Sequence, residues 1–187
     1  SEFHPTPGEV VRALFLGMAE AGHEALPDRG EMRESAAGEG ALVRAFEACA
    51  PGRWEARHWH LHERRADACA ILRRDHHRRG SVIEGDFLAH PAGHPFVALD
   101  ITNPPWSRAI EWAAASLLTA SHVALHVPLA TLETPERAAF LRTYPCDVYP
   151  LEWRPNYDGR GTIGRAVCWL VWGPGRGGRW YPLRRPG

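Results

Sequence analysis

The sequence contains no lysine: all 22 basic residues are arginine, and 22 acidic residues bring the formal net charge to zero. A neutral chain lacks the excess positive charge that drives strong autonomous nucleic-acid binding. The arginines nevertheless come in pairs, Arg64-Arg65, Arg73-Arg74, Arg78-Arg79 and Arg184-Arg185. A guanidinium suits bidentate phosphate contacts better than an ammonium does, although a coding bias towards arginine gives the same picture. Cysteine is sparse as well. Cys49, Cys69, Cys146 and Cys168 are scattered, with no CxxC pair. That argues against a zinc knuckle or a disulfide framework and favours buried free thiols. No run reaches the ~18 uninterrupted apolar residues of a membrane span. Ser1 to Pro7 lack the basic-then-apolar order of a signal peptide. The expectation is therefore a cytoplasmic protein with no membrane partner.

With 187 residues, 44% hydrophobic and 24% charged, the chain fits one compact domain with a proper core. Helical and strand-like patterns alternate, which favours an α/β fold with a mainly parallel sheet. Val10, Val11, Leu14, Phe15 and Met18 fall at helical spacing before Gly22. A short strand ends near Glu34, and a glycine-containing loop leads into a helix closed by Pro51 and Gly52. Further strands are expected in "WEARHWHLHE", "SVIEGD", "PFVALDITN" and "SHVALHVPLA", with helices in "RRADACAILRRDHH", "SRAIEWAAASLLTA" and "TPERAAFLRTY". Thr134 and Pro135 supply the N-cap and first-turn signals of the last helix. "DVYPLEW" and "RAVCWLVWG" flank a stretch of turn residues and read as an antiparallel pair. Residues 1–6 read as an arm and residues 173–187 as an irregular tail. No separate target-recognition domain is expected.

His58, His60 and His62 alternate, so on a strand they share one face, with Trp59 and Leu61 on the other. A zinc site needs further ligands at a recognisable spacing. The preferred reading is a half-exposed strand and no metal.

The most distinctive stretch is "DITNPPWSRAI". Pro104 and Pro105 remove two backbone donors and fix φ, so no regular element runs through them. They fall at the expected end of a strand, where open α/β sheets bind ligands. Three other strand ends carry functional groups. Glu34 precedes Gly38 and Gly40, which allow close backbone approach before a helix N-terminus. Glu63 stands where a carboxylate can accept from ribose hydroxyls, and Asp86-Phe87 pairs an acceptor with a flat ring. The full GxGxxG spacing of a dinucleotide site is absent.

The ordered set "FHPTPGEVVRAL", "ESAAGEGA", "HERR", "GDF" and "NPPW" resembles the class I S-adenosylmethionine-dependent amino-methyltransferases, most of all the small phage and prophage DNA adenine-N6 methyltransferases. Ser35 and Ala37 depart from the proline and cysteine more common in that family. The resemblance implies a Rossmann-like domain with a mostly parallel seven-stranded sheet, a C-terminal antiparallel hairpin and helices on both faces. It implies S-adenosyl-L-methionine as cofactor and a nucleic acid, most of all DNA, as partner. By the same resemblance, Asn103, Pro104, Pro105 and Trp106 are catalytic: the Asn103 side chain and the Pro104 carbonyl each accept one N–H of the target amine, and Trp106 stacks the base. Glu34, Ala36, Gly38, Gly40, Glu63, Asp86, Phe87 and Asn103 line the cofactor, with Phe3, Thr6 and Pro7 closing over it. Arg154, Asn156, Tyr157 and Arg160 in the late hairpin are the candidates for touching nucleic acid. Weak sequence specificity, or recognition borrowed from a partner or a dimer mate, follows from the missing recognition segment. RNA adenine, another amino or amide nitrogen, and a non-catalytic partner subunit are the alternatives.

Overall fold

Continuous apolar runs such as Val97-Ala98-Leu99 and Val167–Trp172 are what a strand buried on both faces requires, and they form interior strands of a seven-stranded sheet. The structure is a computed structural model describing residues 5–49, 57–76, 80–157, 159, 161–162 and 164–187. The elements run α1 (Gly8–Glu20), β1 (Gly30–Glu34), α2 (Ala41–Cys49), β2 (Arg57–Glu63), α3 (Ala66–His76), β3 (Gly80–Glu84) and β4 (Val97–Thr102). They continue with α4 (Ala109–Leu118), β5 (Ala120–Pro128), α5 (Pro135–Thr143), β6 (Asp147–Pro150) and β7 (Val167–Trp172).

The strand order is β3-β2-β1-β4-β5-β7-β6. Strands β1 to β5 pair in parallel, and β7 lies antiparallel to both β5 and β6. The expected antiparallel pair at the end of the chain is thus present, with β7 inserted between β5 and β6. The order reverses between β1 and β4, which makes their carboxyl ends the switch point where ligands bind in such sheets.

Period-two alternation divides the core between the two faces. Met32, Trp59, Leu61, Leu99, Ile101 and Trp169 pack with α1, α2 and Leu72 of α3. Val123, Leu125, Val127, Cys168, Leu170 and Trp172 pack with Trp112 and Ala113 of α4 and with Phe140 and Leu141 of α5. Between β3 and β4 the chain makes two short 3-10 turns, Phe87–Ala89 and Pro91–Gly93. The second face of β1 and β2 is accordingly polar there, with Glu31 and His58 exposed.

A buried ion pair ties the strands beneath the switch point. Arg33 and Asp100 are fully buried, 2.9 Å apart. Asp100 also accepts from Ser35 Oγ at 3.0 Å and Ser116 Oγ at 2.7 Å. The Arg33 guanidinium reaches Thr119 Oγ1 at 3.0 Å and lies over the Phe87 ring.

The tail forms no named helix or strand, but it is anchored. Val148 N donates to Arg179 O, Tyr181 N to Val148 O, and Leu183 N to Pro150 O, so residues 179–183 run alongside β6. Leu183 is fully buried. It seats against α1, where a Cβ on Gly17 would stand 2.2 Å from Leu183 Cδ2. The tail thereby covers the edge of the sheet, whose unpaired donors would otherwise be open to other chains. A Gly- and Pro-rich stretch is held in this way through a few backbone groups and one anchoring leucine.

Candidate active site

A cavity of about 380 Å³ opens beyond the carboxyl ends of β1, β2, β3 and β4. Thr6, Glu34, Ala36, Glu63, Asp86, Phe87 and Asn103 all line it. The turn after β1 needs left-handed backbone at Gly38 (φ 55°) and Gly40 (φ 79°), which glycine adopts without a Cβ clash. Gly38 N donates to Glu63 Oε2 at 2.9 Å and Ala37 N to His62 O at 2.8 Å, so the loop is tied to the end of β2.

The Glu34 carboxyl is buried, and its Oε2 has no hydrogen-bond partner among the described residues. Burial, then the nearby Asp100 charge, pushes its pKa well above the usual carboxylate range. A spare acceptor at the cavity wall suits a ligand ammonium, which would favour the ionised form. Glu63 Oε1 accepts from Arg65 N at 2.8 Å and from Arg65 Nε at 3.2 Å. A carboxylate offers about four lone-pair sites, so acceptor capacity remains for a ligand hydroxyl. Asp86 caps the first 3-10 turn by accepting from Leu88 N at 3.0 Å, and its other oxygen faces Arg108 Nη1 at 3.6 Å.

After β4 the two prolines throw the chain into a 3-10 turn, Trp106–Arg108. Trp106 Nε1 donates to Asn103 Oδ1 at 2.9 Å. The Trp106 ring meets Tyr157 edge-on, with centroids 5.9 Å apart at 78°. The Tyr157 hydroxyl bonds to His126 Nε2. Burial drives the His126 imidazole down to about 3, so it is neutral.

No family model and no curated protein matches the sequence, whereas solved structures do. A type I restriction-modification methyltransferase subunit from Streptococcus thermophilus aligns over 97% of this chain and 47% of its own, with a TM-score of 0.73 and 13% identity. A Pyrococcus horikoshii protein assigned as an RNA methyltransferase aligns over 91% and 86%, with a TM-score of 0.66 and 15% identity. A Listeria monocytogenes protein assigned as a class I S-adenosylmethionine-dependent methyltransferase aligns over 94% and 64%, with a TM-score of 0.66 and 10% identity. This chain spans about half the length of the first of these and less than two thirds of the last. The fold is that of the class I methyltransferases.

Within this methyltransferase fold several residues depart from their expected places. Gly38 and Gly40 do not line the cavity; Ala36, Ala37, Ala41 and Leu42 do. Gly40 serves packing, since a Cβ there would stand 2.6 Å from His76 Nε2 and 3.1 Å from Leu72 Cδ2. Phe87 is 1% exposed and its ring stacks on His94 at 4.5 Å and 9°. An internal histidine thus takes the stacking partnership expected for a ligand base. Tyr157 is buried rather than turned to nucleic acid, because its hydroxyl is held by His126. Asn156 Oδ1 shapes its own loop, accepting from Gly159 N at 2.8 Å. Arg154 is exposed, and Pro7 sits at the N-cap of α1, off the cavity wall. Pro104 is buried, and Trp106 stands beside the cavity, not in its wall. Phe3 and Arg160 lie outside the described residues.

Other wall residues lie outside the expected set of site residues. His62 is 2% exposed, with an unpartnered Nε2, and burial lowers its pKa to about 3. Its place immediately before Glu63 was the available signal. Ser35 donates to Asp100 and accepts from Trp112 Nε1 at 2.9 Å, so it joins the buried ion pair to the cavity wall. Arg108 pairs with Asp86 and with Glu111 at 2.8 Å. Ser35 acts through partners far away in sequence, as Arg108 does through Asp86, whereas the Arg108–Glu111 pair is a local i,i+3 contact.

Proposed function

We propose that this chain is an S-adenosyl-L-methionine-dependent methyltransferase acting on the exocyclic N6 amine of adenine in DNA. The observation that carries the reading is the Asn103 side chain, placed in the wall of a switch-point cavity that also presents Glu34, Glu63 and Asp86. The wall fits that cofactor. The unpartnered Glu34 Oε2 suits its ammonium, Glu63 its ribose hydroxyls, and Asp86 with the neutral His62 its adenine. When bound, the cofactor supplies a methyl group on a positively charged sulfur.

The chain's own task is to position the amine. An exocyclic adenine amine is a weak nucleophile because its lone pair is delocalised into the ring. Asn103 Oδ1 and the Pro104 carbonyl each accept one of its N–H bonds, which turns the lone pair out of the ring plane towards the methyl group. The Trp106 indole N–H, bonded to Asn103 Oδ1, fixes the orientation of the amide. The prolines hold the carbonyl still, and the product proton leaves to water after transfer. Positioning of this kind supplies several kcal/mol of a barrier. A base drawn from the duplex stacks on Trp106.

DNA is favoured by the restriction-modification methyltransferase subunit among the similar structures. Arg154, exposed between β6 and β7, is a phosphate contact in this reading, and specificity is low or lent by a partner or second copy. The test offers unmethylated duplex DNA, single-stranded RNA and protein together with methyl-labelled cofactor. Label recovered as N6-methyladenine from DNA supports the reading; label in RNA or protein alone, or none despite bound cofactor, overturns it.

A further inference from the structure

We propose that Glu31, His58 and His60 form a binding site for a divalent transition ion of the Zn²⁺ type on the open face of the sheet. One ligand atom from each of these residues lies within 4.8 Å of the others. The placement follows from strand geometry. His58 and His60, two residues apart on β2, present their rings on one face, with centroids 5.1 Å apart. Glu31 on β1 is the register partner of His58, so its carboxylate stands on that same face. Two imidazoles and one carboxylate are a zinc ligand set that leaves the fourth position to water. Tetrahedral zinc with ligand bonds of ~2.1 Å separates its ligand atoms by roughly 3.4 Å, so modest side-chain rotations close the site.

Two further observations point to an ion. His60 Nε2 and Glu31 Oε2 stand 2.6 Å apart, so a hydrogen-bond proton now occupies the place between them. The other ring nitrogen, His60 Nδ1, lies 3.1 Å from Ser81 Oγ on β3. The serine hydroxyl can accept from Nδ1–H once an ion displaces the proton on Nε2, as outer partners of metal-bound histidines do. Among the described residues no helix roofs this part of the sheet, because the β3–β4 connection is only a pair of 3-10 turns. Glu31 and His58 are exposed, so an ion has a path in. The site is separate from the cavity: His60 precedes Glu63 by three residues, roughly 10 Å of strand. An ion here staples β1 to β2, the strands that end in Glu34 and Glu63.

Co²⁺ serves as the spectroscopic probe and Zn²⁺ as the calorimetric one, each titrated into the full chain. The expected result is one equivalent bound, with the intense visible bands of a tetrahedral Co²⁺ site. His58→Ala and His60→Ala should remove the bands, Glu31→Gln should weaken affinity, and Ser81→Ala should weaken it about tenfold. Zn²⁺ should also raise the melting temperature of the wild type and leave that of His60→Ala unchanged. Absence of binding to the wild type, or undiminished binding to His58→Ala and His60→Ala, overturns the proposal.

Discussion

Replacing Asp100 with alanine should destabilise the protein by about 3–5 kcal/mol, the usual result of stranding one member of a buried ion pair. Both side chains of the Arg33–Asp100 pair are fully buried, so water cannot take over solvation of the guanidinium. Thr119 Oγ1 and the Pro95 carbonyl would remain as its acceptors, at 3.0 and 3.3 Å. Ser35 and Ser116 would each lose the carboxylate to which they donate. A domain of this size loses about 2–4 °C per kcal/mol, so the melting temperature should fall by roughly 6–20 °C. The assay is urea and thermal unfolding of the wild type, Asp100→Ala, Arg33→Met and the double variant Arg33→Met/Asp100→Leu. The double variant should recover most of the loss, because an apolar pair of similar volume replaces two desolvated charges. An Asp100→Ala protein within about 1 kcal/mol of wild type would refute the reasoning, as would a double variant no more stable than the sum of the singles. Ser35 and Trp112 line the cavity, so Asp100→Ala should also weaken cofactor binding.

The Glu34 carboxyl has a raised pKa in the folded protein, so the folded state holds its proton more tightly than the unfolded state does. Its burial therefore lowers stability as pH rises from the unfolded value of about 4.3. Glu34→Gln should melt higher than the wild type at pH 7 and show less decline with pH above 5, while binding S-adenosylmethionine more weakly by calorimetry. Trp106→Phe keeps a ring beside Tyr157 but removes the donor to Asn103 Oδ1. Loss of one such bond, ~1.4 kcal/mol, should lower turnover about tenfold with cofactor affinity unchanged in parallel binding measurements. Leu183→Ala should cost about 2–5 kcal/mol and expose residues 179–183 to limited proteolysis, since Leu183 anchors the tail against α1.

The sheet was legible in the sequence because strand and helix patterns alternate without ambiguity, and Thr134-Pro135 marks its helix start by chemistry that acts within one turn. Glu34, Glu63, Asp86 and Asn103 were legible because each follows or ends a strand, so chain position alone brings them to one rim. What escaped notice depends on contacts between distant residues. Ser35 gains its meaning from Asp100 and Trp112, and Gly40 from Leu72 and His76. Tyr157 sits in a loop full of polar residues and looked solvent-facing, yet His126, 31 positions away, draws it inwards. The alternation of His58 and His60 was visible, but the carboxylate beside them belongs to another strand.

The most direct test of the account compares wild type with Asn103→Ala in two measurements on the same samples: calorimetric binding of S-adenosylmethionine, and single-turnover methylation of unmethylated duplex DNA. The account predicts cofactor affinity within a few-fold of wild type and methylation reduced to background. Methylation by Asn103→Ala at the wild-type rate would contradict it.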